Sequence, residues 1–306
     1  MQRVNELTVP NGLTSRALQM DDGRAVFEVM AAQEQEDLGK VEIEEADVVG
    51  DWQKPSFDIE ASTVGAFDGG AMVACAEVSK SGRGDAAVHP SYRRRGIGTA
   101  LADWMRARAG VLGGTVIGSP VPVGSPGDRL LEKLGWRIRW TSWVLTLPEG
   151  TEIQERPLPE GYAVREARPD EYPAVQNVIE DAFLEWTDRE RETYEDFLAT
   201  TVNRPGFEPW QFRIVTDASA EIVGVASVYM YGEPPTEAFI GRLAVRRDQR
   251  NRGLAQALLV DSFAHGREHG ASRSALSTDS RTGALSLYEK VGMEVGDVWV
   301  NRAIDV

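Results

Sequence analysis

An arginine-rich loop joins an apolar run to a helical pattern in residues 243–258, LAVRRDQRNRGLAQAL. The apolar run is typical of a strand, and apolar residues recur at helical spacing from Leu254 onward. Small residues let the backbone approach a ligand closely, and the first N–H groups of a helix have no partners within it. The helix dipole and the neighbouring arginines add a favourable potential for phosphate. The stretch therefore predicts an anion-binding loop at the start of a helix.

An earlier part of the chain repeats this pattern. There Ala86-Ala87-Val88 leads into Arg93-Arg94-Arg95-Gly96-Ile97-Gly98, and Arg93 and Arg250 are 250 − 93 = 157 residues apart. A second pair of blocks, LLEKLGW at 130–136 and LYEKVGM at 287–293, has the same spacing, since 288 − 131 is also 157. Two separate blocks that share one offset indicate an internal repeat of a single structural unit.

A segment rich in proline and glycine separates the two copies. Residues 148–161 hold three prolines and two glycines, which is typical of a linker. A chain of 306 residues also exceeds the usual size of one hydrophobic core. We therefore expect a first domain at residues 1–150, closed by a strand at 140–147, and a second domain at residues 158–306.

The elements of the second copy can be read along the chain. Capping residues and helical spacing predict helices at 170–183, 188–201, 254–269 and 282–291. Alternation with β-branched or aromatic residues predicts strands at 162–167, 211–216, 222–231, 238–245, 273–277 and 294–304. This order predicts an α/β fold of the α+β type, in which a mixed, mostly antiparallel sheet is flanked by helices.

Composition limits the class of function. The formal charge of −15 argues against nonspecific binding to nucleic acid or to an anionic membrane, and it is compatible with an amine substrate or with a role in solubility alone. No apolar run approaches the roughly 18 residues of a membrane span, and the first residues do not resemble a signal peptide, so we expect a cytoplasmic protein. The single cysteine, Cys75, lies in an apolar run and is expected to be a buried thiol. His265 and His269 have no acidic or thiol ligands organised around them, so no metal site is expected.

The two repeated blocks resemble the signatures of the GCN5-related N-acetyltransferase (GNAT) superfamily. The arginine-rich loop is similar to the pyrophosphate loop with which that superfamily binds acetyl-CoA, and LYEKVGM at 287–293 is similar to its second signature. The resemblance implies two tandem GNAT-like domains that use acetyl-CoA as the acyl donor.

The resemblance also implies a role for each motif residue. In the second copy the backbone of Leu243, Ala244 and Val245 would pair with the pantetheine arm as with another strand. The pyrophosphate would be held by the backbone amides of the loop, with Gln256 at its edge; the loop residues are Arg250, Asn251, Arg252, Gly253, Leu254 and Ala255. The corresponding residues of the first copy are Ala86, Ala87, Val88, Arg93, Arg94, Arg95, Gly96, Ile97 and Gly98.

Tyr288 is the candidate general acid. By the resemblance it would lie beside the thioester sulfur and donate a proton to the leaving thiolate, which suits a phenol that stays protonated at neutral pH. The alternative is an aromatic residue of the core. The acceptor amine must lose a proton, and Glu237 is the candidate base, directly or through water. Glu233, and more distantly Asp217 and Glu221, are further candidates, and bulk water is the alternative to all of them.

The two copies differ at the position of the general acid. Leu131 stands in the first copy where Tyr288 stands in the second, and leucine has no proton to give. The hairpin before the loop is also shorter in the first copy, whereas residues 229–239 of the second are long enough to form a substrate wall. We therefore expect the second domain to catalyse. The first domain is expected either to bind CoA or to be a structural remnant.

The sequence thus predicts direct transfer of an acetyl group from acetyl-CoA to a small-molecule primary amine, by a monomer or homodimer. Two alternatives are acetylation of a protein N-terminus or lysine, and a non-catalytic CoA-binding or regulatory protein. The tandem arrangement resembles the mycothiol synthase group of GNAT proteins. The chain departs from that group with Arg281 in place of an asparagine and Phe239 in place of an acidic residue. These departures argue against that group's acceptor.

Overall fold

A computed structural model describes residues 7–10, 12–187, 189–232, 234 and 236–306. The chain divides into two compact units. Unit 1 is Met1–Thr141 with Val298–Val306, and unit 2 is Ser142–Asp297. In each unit helices cover a mostly antiparallel sheet, which confirms the predicted fold class. The sheet of unit 2 contains one parallel pair of strands, and unit 1 has an isolated parallel bridge between Arg83 and Gly118.

Unit 1 contains five complete strands of the first copy, the start of a sixth and the end of the C-terminal strand. The strands are β1 (Thr14–Arg16), β2 (Thr63–Asp68), β3 (Ala71–Val78), β4 (Gly84–Val88) and β5 (Val116–Pro122). The helices are α1 (Gly23–Leu38), α2 (Glu45–Trp52), α3 (Ile59–Ser62), α4 (Ile97–Val111) and α5 (Pro126–Lys133). Strands β1-β2-β3-β4 pair antiparallel in that order, and β5 pairs antiparallel with residues Trp299–Asp305 of β12 (Glu294–Asp305).

Strand β3 is buried on both faces because helices cover both sides of the sheet. Cys75 packs in one cluster with Val26 of α1 and Trp52 of α2, and Ala74 packs in another with Leu101 of α4. A strand covered in this way is apolar throughout instead of alternating. Cys75 is 4% exposed, and burial raises the pKa of its thiol to about 12, which confirms the prediction of a buried thiol.

The C-terminal strand is fixed in unit 1 by a buried ion pair. Nε of Arg302 donates to Oδ1 of Asp128 at 2.7 Å, and Nη1 of Arg302 donates to the carbonyl of Trp136 at 3.2 Å. Arg302 and Asp128 are both buried. Because the loss of either partner would leave a buried charge uncompensated, the pair ties β12 to α5.

Unit 2 is built from the second copy and the end of β6 (Arg137–Leu147). Its other strands are β7 (Ala163–Glu166), β8 (Phe212–Thr216), β9 (Ile222–Tyr231), β10 (Glu237–Val245) and β11 (Arg273–Asp279). Its helices are α6 (Tyr172–Phe183), α7 (Tyr194–Thr200), α8 (Leu254–Glu268) and α9 (Leu285–Lys290). The strand order is β6-β11-β10-β9-β8-β7, and among these neighbours only β10 and β11 are parallel.

Two apolar clusters cover the faces of the unit 2 sheet. In one cluster Leu258 of α8 packs with Ile240 of β10, and Tyr288 of α9 belongs to the same cluster. In the other cluster Phe197 of α7 packs with Val225 of β9. Helix α8 therefore lies on one face of the sheet, and α6 and α7 lie on the opposite face.

Two predicted helices are too long at their starts, and local hydrogen bonds explain why. Helix α7 begins at Tyr194 because Oγ1 of Thr193 accepts from the N–H of Asp196 at 3.1 Å and caps the helix there. Asp188, the first residue of the predicted helix, lies outside the described residues. Before α9, a carboxylate oxygen of Asp279 accepts from the N–H of Arg281 at 2.9 Å, so this segment forms a turn instead of a helical start.

The compact units differ from the predicted domain limits in two segments. Residues 142–147, predicted to close the first domain, pair with β11 and belong to unit 2. Residues 298–306, predicted for the second domain, pair with β5 and belong to unit 1. We retain residues 148–161 as the proposed boundary between the two sequence repeats.

Candidate active site

Strands β10 and β11 separate in the middle of β10. The two parallel strands pair over only four residues each, ending at Ile240 and Leu276. Beyond that point β10 pairs only with β9, and β11 pairs only with β6. One edge of Leu243–Val245 therefore faces no described strand. Apart from the carbonyl of Val245, which accepts from Nε of Arg250 at 3.2 Å, its backbone groups are available to an extended ligand that pairs as a strand would.

A β-bulge marks the point of separation. The register between β10 and β9 shifts between Ile240 and Arg242, so Gly241 has no direct partner. A Cβ at Gly241 would overlap the ring of Tyr229, because that ring lies directly on the backbone there. Only glycine fits at this point. The bulge and the Tyr229 ring therefore lie where β10 and β11 separate.

The loop after β10 has a backbone conformation suited to an anion. Asn251 has a φ of 65° and Gly253 a φ of 80°, both in the left-handed region. A turn of this kind directs successive backbone N–H groups into one concavity, where they bind anions. Helix α8 begins at Leu254, and no side chain caps its first N–H groups. Left-handed backbone at a residue with a side chain is strained, so Asn251 points to a functional constraint.

The arginines of this loop are held by neighbours. The guanidinium of Arg250 forms two hydrogen bonds with the carboxylate of Glu185, at 2.7 and 2.8 Å. Its Nε also donates to the carbonyl of Val245 at 3.2 Å. Nη1 of Arg252 donates to the hydroxyl of Tyr162 at 3.3 Å. These contacts fix the two side chains beside the loop. The N–H of Arg250 donates to the carbonyl of Arg247 at 3.5 Å, so the concavity is formed by the N–H groups that follow it.

The linker lies against the same loop. A Cβ on Gly253 would lie 3.6 Å from both Cβ and Cδ of Arg156, and the side chain of Gln256 donates to the carbonyl of Gln154. Ile153 is buried in the core of unit 2 and anchors the segment. Arg156 is exposed, and none of the ion pairs formed among the described residues involves its guanidinium. The linker thus places an available positive charge at the start of α8.

Tyr288 lies in the core beneath the separated strands. It is 8% exposed and packs in the cluster that contains Leu254, the first residue of α8. Burial raises the pKa of its phenol to about 12, so the hydroxyl stays protonated throughout the physiological range. No described residue forms a hydrogen bond with this hydroxyl. Within the described part of the chain, the phenol is therefore a donor without an acceptor.

Two of the candidate bases, Glu237 and Asp217, are held in other contacts. Glu237 is the first residue of β10 and forms an ion pair with Arg273. It precedes the bulge by four residues, which corresponds to about 13 Å along a strand. Asp217 accepts the N–H groups of Ser219 and Glu221 at 2.9 and 3.1 Å and shapes the turn before β9. Glu233 lies outside the described residues.

Unit 1 repeats the loop but covers the neighbouring strand edge. Arg94 and Gly96 have φ values of 64° and 86°, and α4 begins directly afterwards. The N–H of Val88 donates to the side chain of Gln33 at 3.0 Å. The side chain of Gln33 thus occupies the N–H of Val88, a backbone group that by the resemblance would pair with the pantetheine arm.

The helices of unit 1 also close the space beside the loop. A Cβ on Gly98 would lie 2.9 Å from Cδ2 of Leu130, which shows that α5 packs tightly on the first turn of α4. Leu131 is 5% exposed and belongs to the core. Arg93 is held by Asp37 through two hydrogen bonds of 2.7 and 2.9 Å. Unit 1 therefore has the concavity, but it has a leucine at the position of Tyr288, and Gln33 occupies the strand edge beside the loop.

The histidines of unit 2 take part in a different arrangement. The ring of His269 stacks on Trp210 with 4.1 Å between centroids, and His265 lies beside the same indole at 6.4 Å. Within the described part of the chain, no group of three or more His, Cys, Asp or Glu side chains is arranged to hold a metal ion. No helix in that part is long and apolar enough to cross a membrane.

Sequence reasoning missed three residues that the structure brings to this site. Gly241 marks the bulge, and an isolated glycine inside a strand pattern is a known signal for one. Arg242 follows it directly on β10, and Arg156 comes from the linker. Neither arginine carries a local signal, because each reaches the site only through the fold.

Comparison with known proteins agrees with this geometry. The profile of the Acetyltransferase (GNAT) family matches residues 27–135 and 165–293, which together make up more than half of the chain. The chain belongs to the GNAT acetyltransferase family. It is an acetyltransferase with two GNAT domains in tandem, as the repeat predicts.

Relatives with assigned names are of the same kind. The mycothiol acetyltransferase of Salinispora arenicola is 32% identical over 227 residues, which cover 70% of each chain. That of Saccharopolyspora erythraea is 28% identical over 243 residues, or 74% of this chain and 78% of the relative. Among solved structures, a GCN5-related N-acetyltransferase from Sphaerobacter thermophilus is 26% identical with a TM-score of 0.73 over 97% of both chains.

A tandem GNAT protein from the clavulanic acid biosynthesis pathway has a similar fold. Its TM-score is 0.72, with 21% identity over 96% of this chain and 98% of that chain. At this identity the likeness concerns the fold alone. Together with the family match, these relatives confirm the predicted resemblance and the predicted class of enzyme.

Proposed function

We propose that this acetyltransferase moves an acetyl group from acetyl-CoA to the primary amine of a small molecule, and that the reaction takes place in unit 2. The observation that carries the proposal is the separation of β10 and β11 at Gly241, followed directly by the strained loop at Asn251 and Gly253. An open strand edge that leads into an anion-binding concavity suits a long ligand with an amide-rich arm at one end and phosphates at the other.

The binding mode follows from this arrangement. The pantetheine arm pairs with the open edge of Leu243–Val245, and the pyrophosphate lies in the N–H groups of Asn251–Ala255 at the start of α8. Gln256 and Arg156 border the loop from the helix and from the linker. In this proposal the Arg156 guanidinium neutralises phosphate charge, since its aliphatic stem already lies against Gly253.

The reaction needs no covalent enzyme intermediate. The lone pair of the neutral amine attacks the thioester carbonyl, the carbon–sulfur bond breaks, and the amine nitrogen loses a proton. The products are the acetamide and CoA thiol. The Tyr288 hydroxyl donates a hydrogen bond to the sulfur and transfers its proton as negative charge develops there. With a pKa of about 12 it contributes most in the transition state, where the sulfur is most basic. The proton lost by the amine passes to water, and the tyrosinate regains a proton from water before the next turnover.

The proton of the amine leaves by a less defined route. Glu237 is engaged by Arg273 and lies about 13 Å before the bulge, so direct contact with the amine is excluded and its only route to the amine is through water. A primary amine that is partly neutral at the working pH can lose its proton to bulk water after attack. We therefore propose Tyr288 as the side chain that contributes most to the chemical step.

The contrast between the units supports catalysis in unit 2. Gln33 and Leu130 fill the region of unit 1 that corresponds to the open edge and the adjoining helix start, and Leu131 replaces the phenol. In unit 2 the side chain of Arg250 donates to the carbonyl of Val245 on the equivalent edge, and no side chain of the described residues accepts from the N–H groups of Leu243 or Val245. We propose that unit 1 does not carry the reaction.

The test is release of CoA thiol by the full chain with a panel of small primary amines. A thiol reagent can follow the reaction directly, because Cys75 is buried and its raised pKa keeps it unreactive. Turnover with a small amine supports the proposal. Binding of acetyl-CoA without turnover of any amine would contradict it and favour a non-catalytic binding protein. Turnover only with a peptide that has a free N-terminus or lysine would assign a protein substrate instead.

A further inference from the structure

One face of the β9–β10 pair carries an aromatic and cationic surface. Phe239 is the cross-strand partner of Tyr229, and Arg242 is the partner of Ser227, so each pair projects to one side of the sheet. Ser227, Tyr229 and Tyr231 alternate along β9 and therefore share that side. It is the side covered by α6 and α7, opposite to α8.

The aromatic rings on this face pack against one another but are not fully buried. Tyr229 and Tyr231 lie 6.4 Å apart between centroids, and Tyr231 meets Phe239 edge-on at 5.9 Å. The guanidinium of Arg204 lies over both tyrosine rings, at 5.3 and 5.7 Å. Partly exposed rings in contact with each other form a surface that suits the apolar body of a small ligand.

Arg242 has an unmatched donor on the same face. Its Nη1 is buried and has no hydrogen-bond partner among the residues that the structure describes. Its Nη2 donates to Oγ1 of Thr200 at 3.3 Å and lies 3.7 Å from a carboxylate oxygen of Glu192. The guanidinium also lies 5.5 Å from the centre of the Phe197 ring. A buried cationic donor without an acceptor is costly, and such groups are usually satisfied by a ligand or water.

The fold does not demand an arginine here. The equivalent residue of the first copy is Asp85, since 242 − 157 = 85, and it occupies the same strand position with the opposite charge. Arg242 is also the first residue with a side chain after the bulge at Gly241, where the two strands part. The residue at position 242 therefore determines the charge next to the proposed thioester site, where the acceptor binds.

We propose that the acceptor amine carries a carboxylate, as an amino acid does, and that Arg242 binds it. This inference rests on the proposed function and narrows its acceptor. The carboxylate accepts from Nη1 of Arg242, and the apolar part of the acceptor lies on Tyr229, Tyr231 and Phe239. The amine then points toward the bulge, where the thioester carbonyl lies. A planar guanidinium suits this task because its fork matches the two oxygens of a carboxylate.

The test compares apolar L-amino acids with their primary amides as acceptors. The quantity is the ratio of kcat/KM for the acid to that for the amide, measured in the full chain and in Arg242→Gln. We expect the native chain to prefer the acids and the variant to lower the ratio by roughly 10- to 100-fold, the range for a charge-assisted hydrogen bond. Arg242→Lys should fall between the two, because it keeps the charge and loses the fork.

Two controls separate ligand binding from a structural role. Glu192→Gln removes the nearby carboxylate, and we expect it to keep or increase the preference for acids. Arg137→Gln removes a positive charge at an exposed ion pair with Asp305 and should leave the ratio unchanged. Equal loss for acids and amides in Arg242→Gln would assign Arg242 to folding, and equal use of acids and amides by the native chain would overturn the inference.

Binding measurements keep this test independent of turnover. Calorimetry measures the affinity of the protein for an N-acetyl amino acid, which is the expected product, and for the corresponding amide. Tighter binding of the acid, lost in Arg242→Gln, supports the inference. Equal binding of both contradicts it. If no amine led to thiol release, the proposed function would be contradicted. The binding comparison would still test the role of Arg242, because it requires no turnover.

Discussion

Arg94 and Asn251 have the same left-handed backbone, with φ values of 64° and 65°, at positions 251 − 94 = 157 residues apart. Besides these two, Ala220 is the only non-glycine residue of the described part of the chain with a positive φ. Strain repeated at equivalent positions indicates that both loops keep one anion-binding shape. The loop alone therefore does not decide which unit catalyses; its surroundings do.

The left-handed glycines of the two loops give a matched pair of variants. Gly253→Ala and Gly96→Ala each place a side chain in the left-handed region, which costs about 1–2 kcal/mol of unfolding free energy. We expect Gly253→Ala to raise KM for acetyl-CoA several-fold, because the loop N–H groups shift. Gly96→Ala should leave the steady-state constants unchanged. Denaturant unfolding and steady-state kinetics measure the two effects, and a raised KM in Gly96→Ala would implicate unit 1 in the reaction.

The position of Arg156 predicts a salt-dependent contribution to binding of acetyl-CoA. Arg156→Gln should raise KM for acetyl-CoA about 3- to 10-fold at low ionic strength, with kcat unchanged. The difference should shrink at high salt, since exposed charges are screened. Arg168→Gln removes an exposed arginine of unit 2 that pairs with Glu171 and Asp170 and serves as the control. An equal effect of both variants would mean that only the net charge matters.

Glu77 predicts a pH-dependent stability of unit 1. Burial, and then the neighbouring Asp85, raise the pKa of its carboxyl to about 7, while Nε1 of Trp52 donates to it at 2.8 Å. A carboxyl with a raised folded pKa stays protonated when the unfolded chain has already lost its proton. The contribution of Glu77 to the free energy of unfolding is therefore fully present at low pH and is lost as the pH rises from about 4.5 to about 7.

Glu77→Gln removes this loss while keeping an acceptor for the Trp52 indole. We expect the variant to be more stable than the native chain by about 1–3 kcal/mol at pH 8 and nearly equal to it at pH 5. Urea unfolding at the two pH values, followed by tryptophan fluorescence, makes the comparison. Glu60→Gln changes an exposed carboxylate and should show no such difference. Equal stability of Glu77→Gln and the native chain at both pH values would refute the raised pKa.

Much of the fold was predictable because local patterns are strong in this chain. The alternation in β9 gave its limits, Ile222–Tyr231, without error, and the start of α8 at Leu254 followed from the loop pattern. The repeat predicted two units of the same architecture. The partners of β6 and β12 were not predictable in the same way. Two strands of similar length and alternation can exchange places without any change in their local sequence pattern.

The site was predictable to the extent that it is continuous in sequence. The loop at Arg250–Ala255 and the phenol of Tyr288 were predicted from motifs, and their roles remain proposals. The positions of Gly241 and Arg242 in the site depend on the bulge, and the bulge depends on the register with β9. Arg156 lies at the site only because the linker passes over Gly253. Such tertiary relationships leave no periodic signal in one sequence.

The most direct test of the account is the turnover number of Tyr288→Phe with an accepted amine. Phenylalanine keeps the buried ring and removes only the hydroxyl. We expect kcat to fall about 100-fold, within the range for general acid catalysis, while KM for acetyl-CoA changes little. Leu131→Tyr, the matched change in unit 1, should not increase kcat. An unchanged kcat in Tyr288→Phe would contradict the assignment of the chemistry to unit 2.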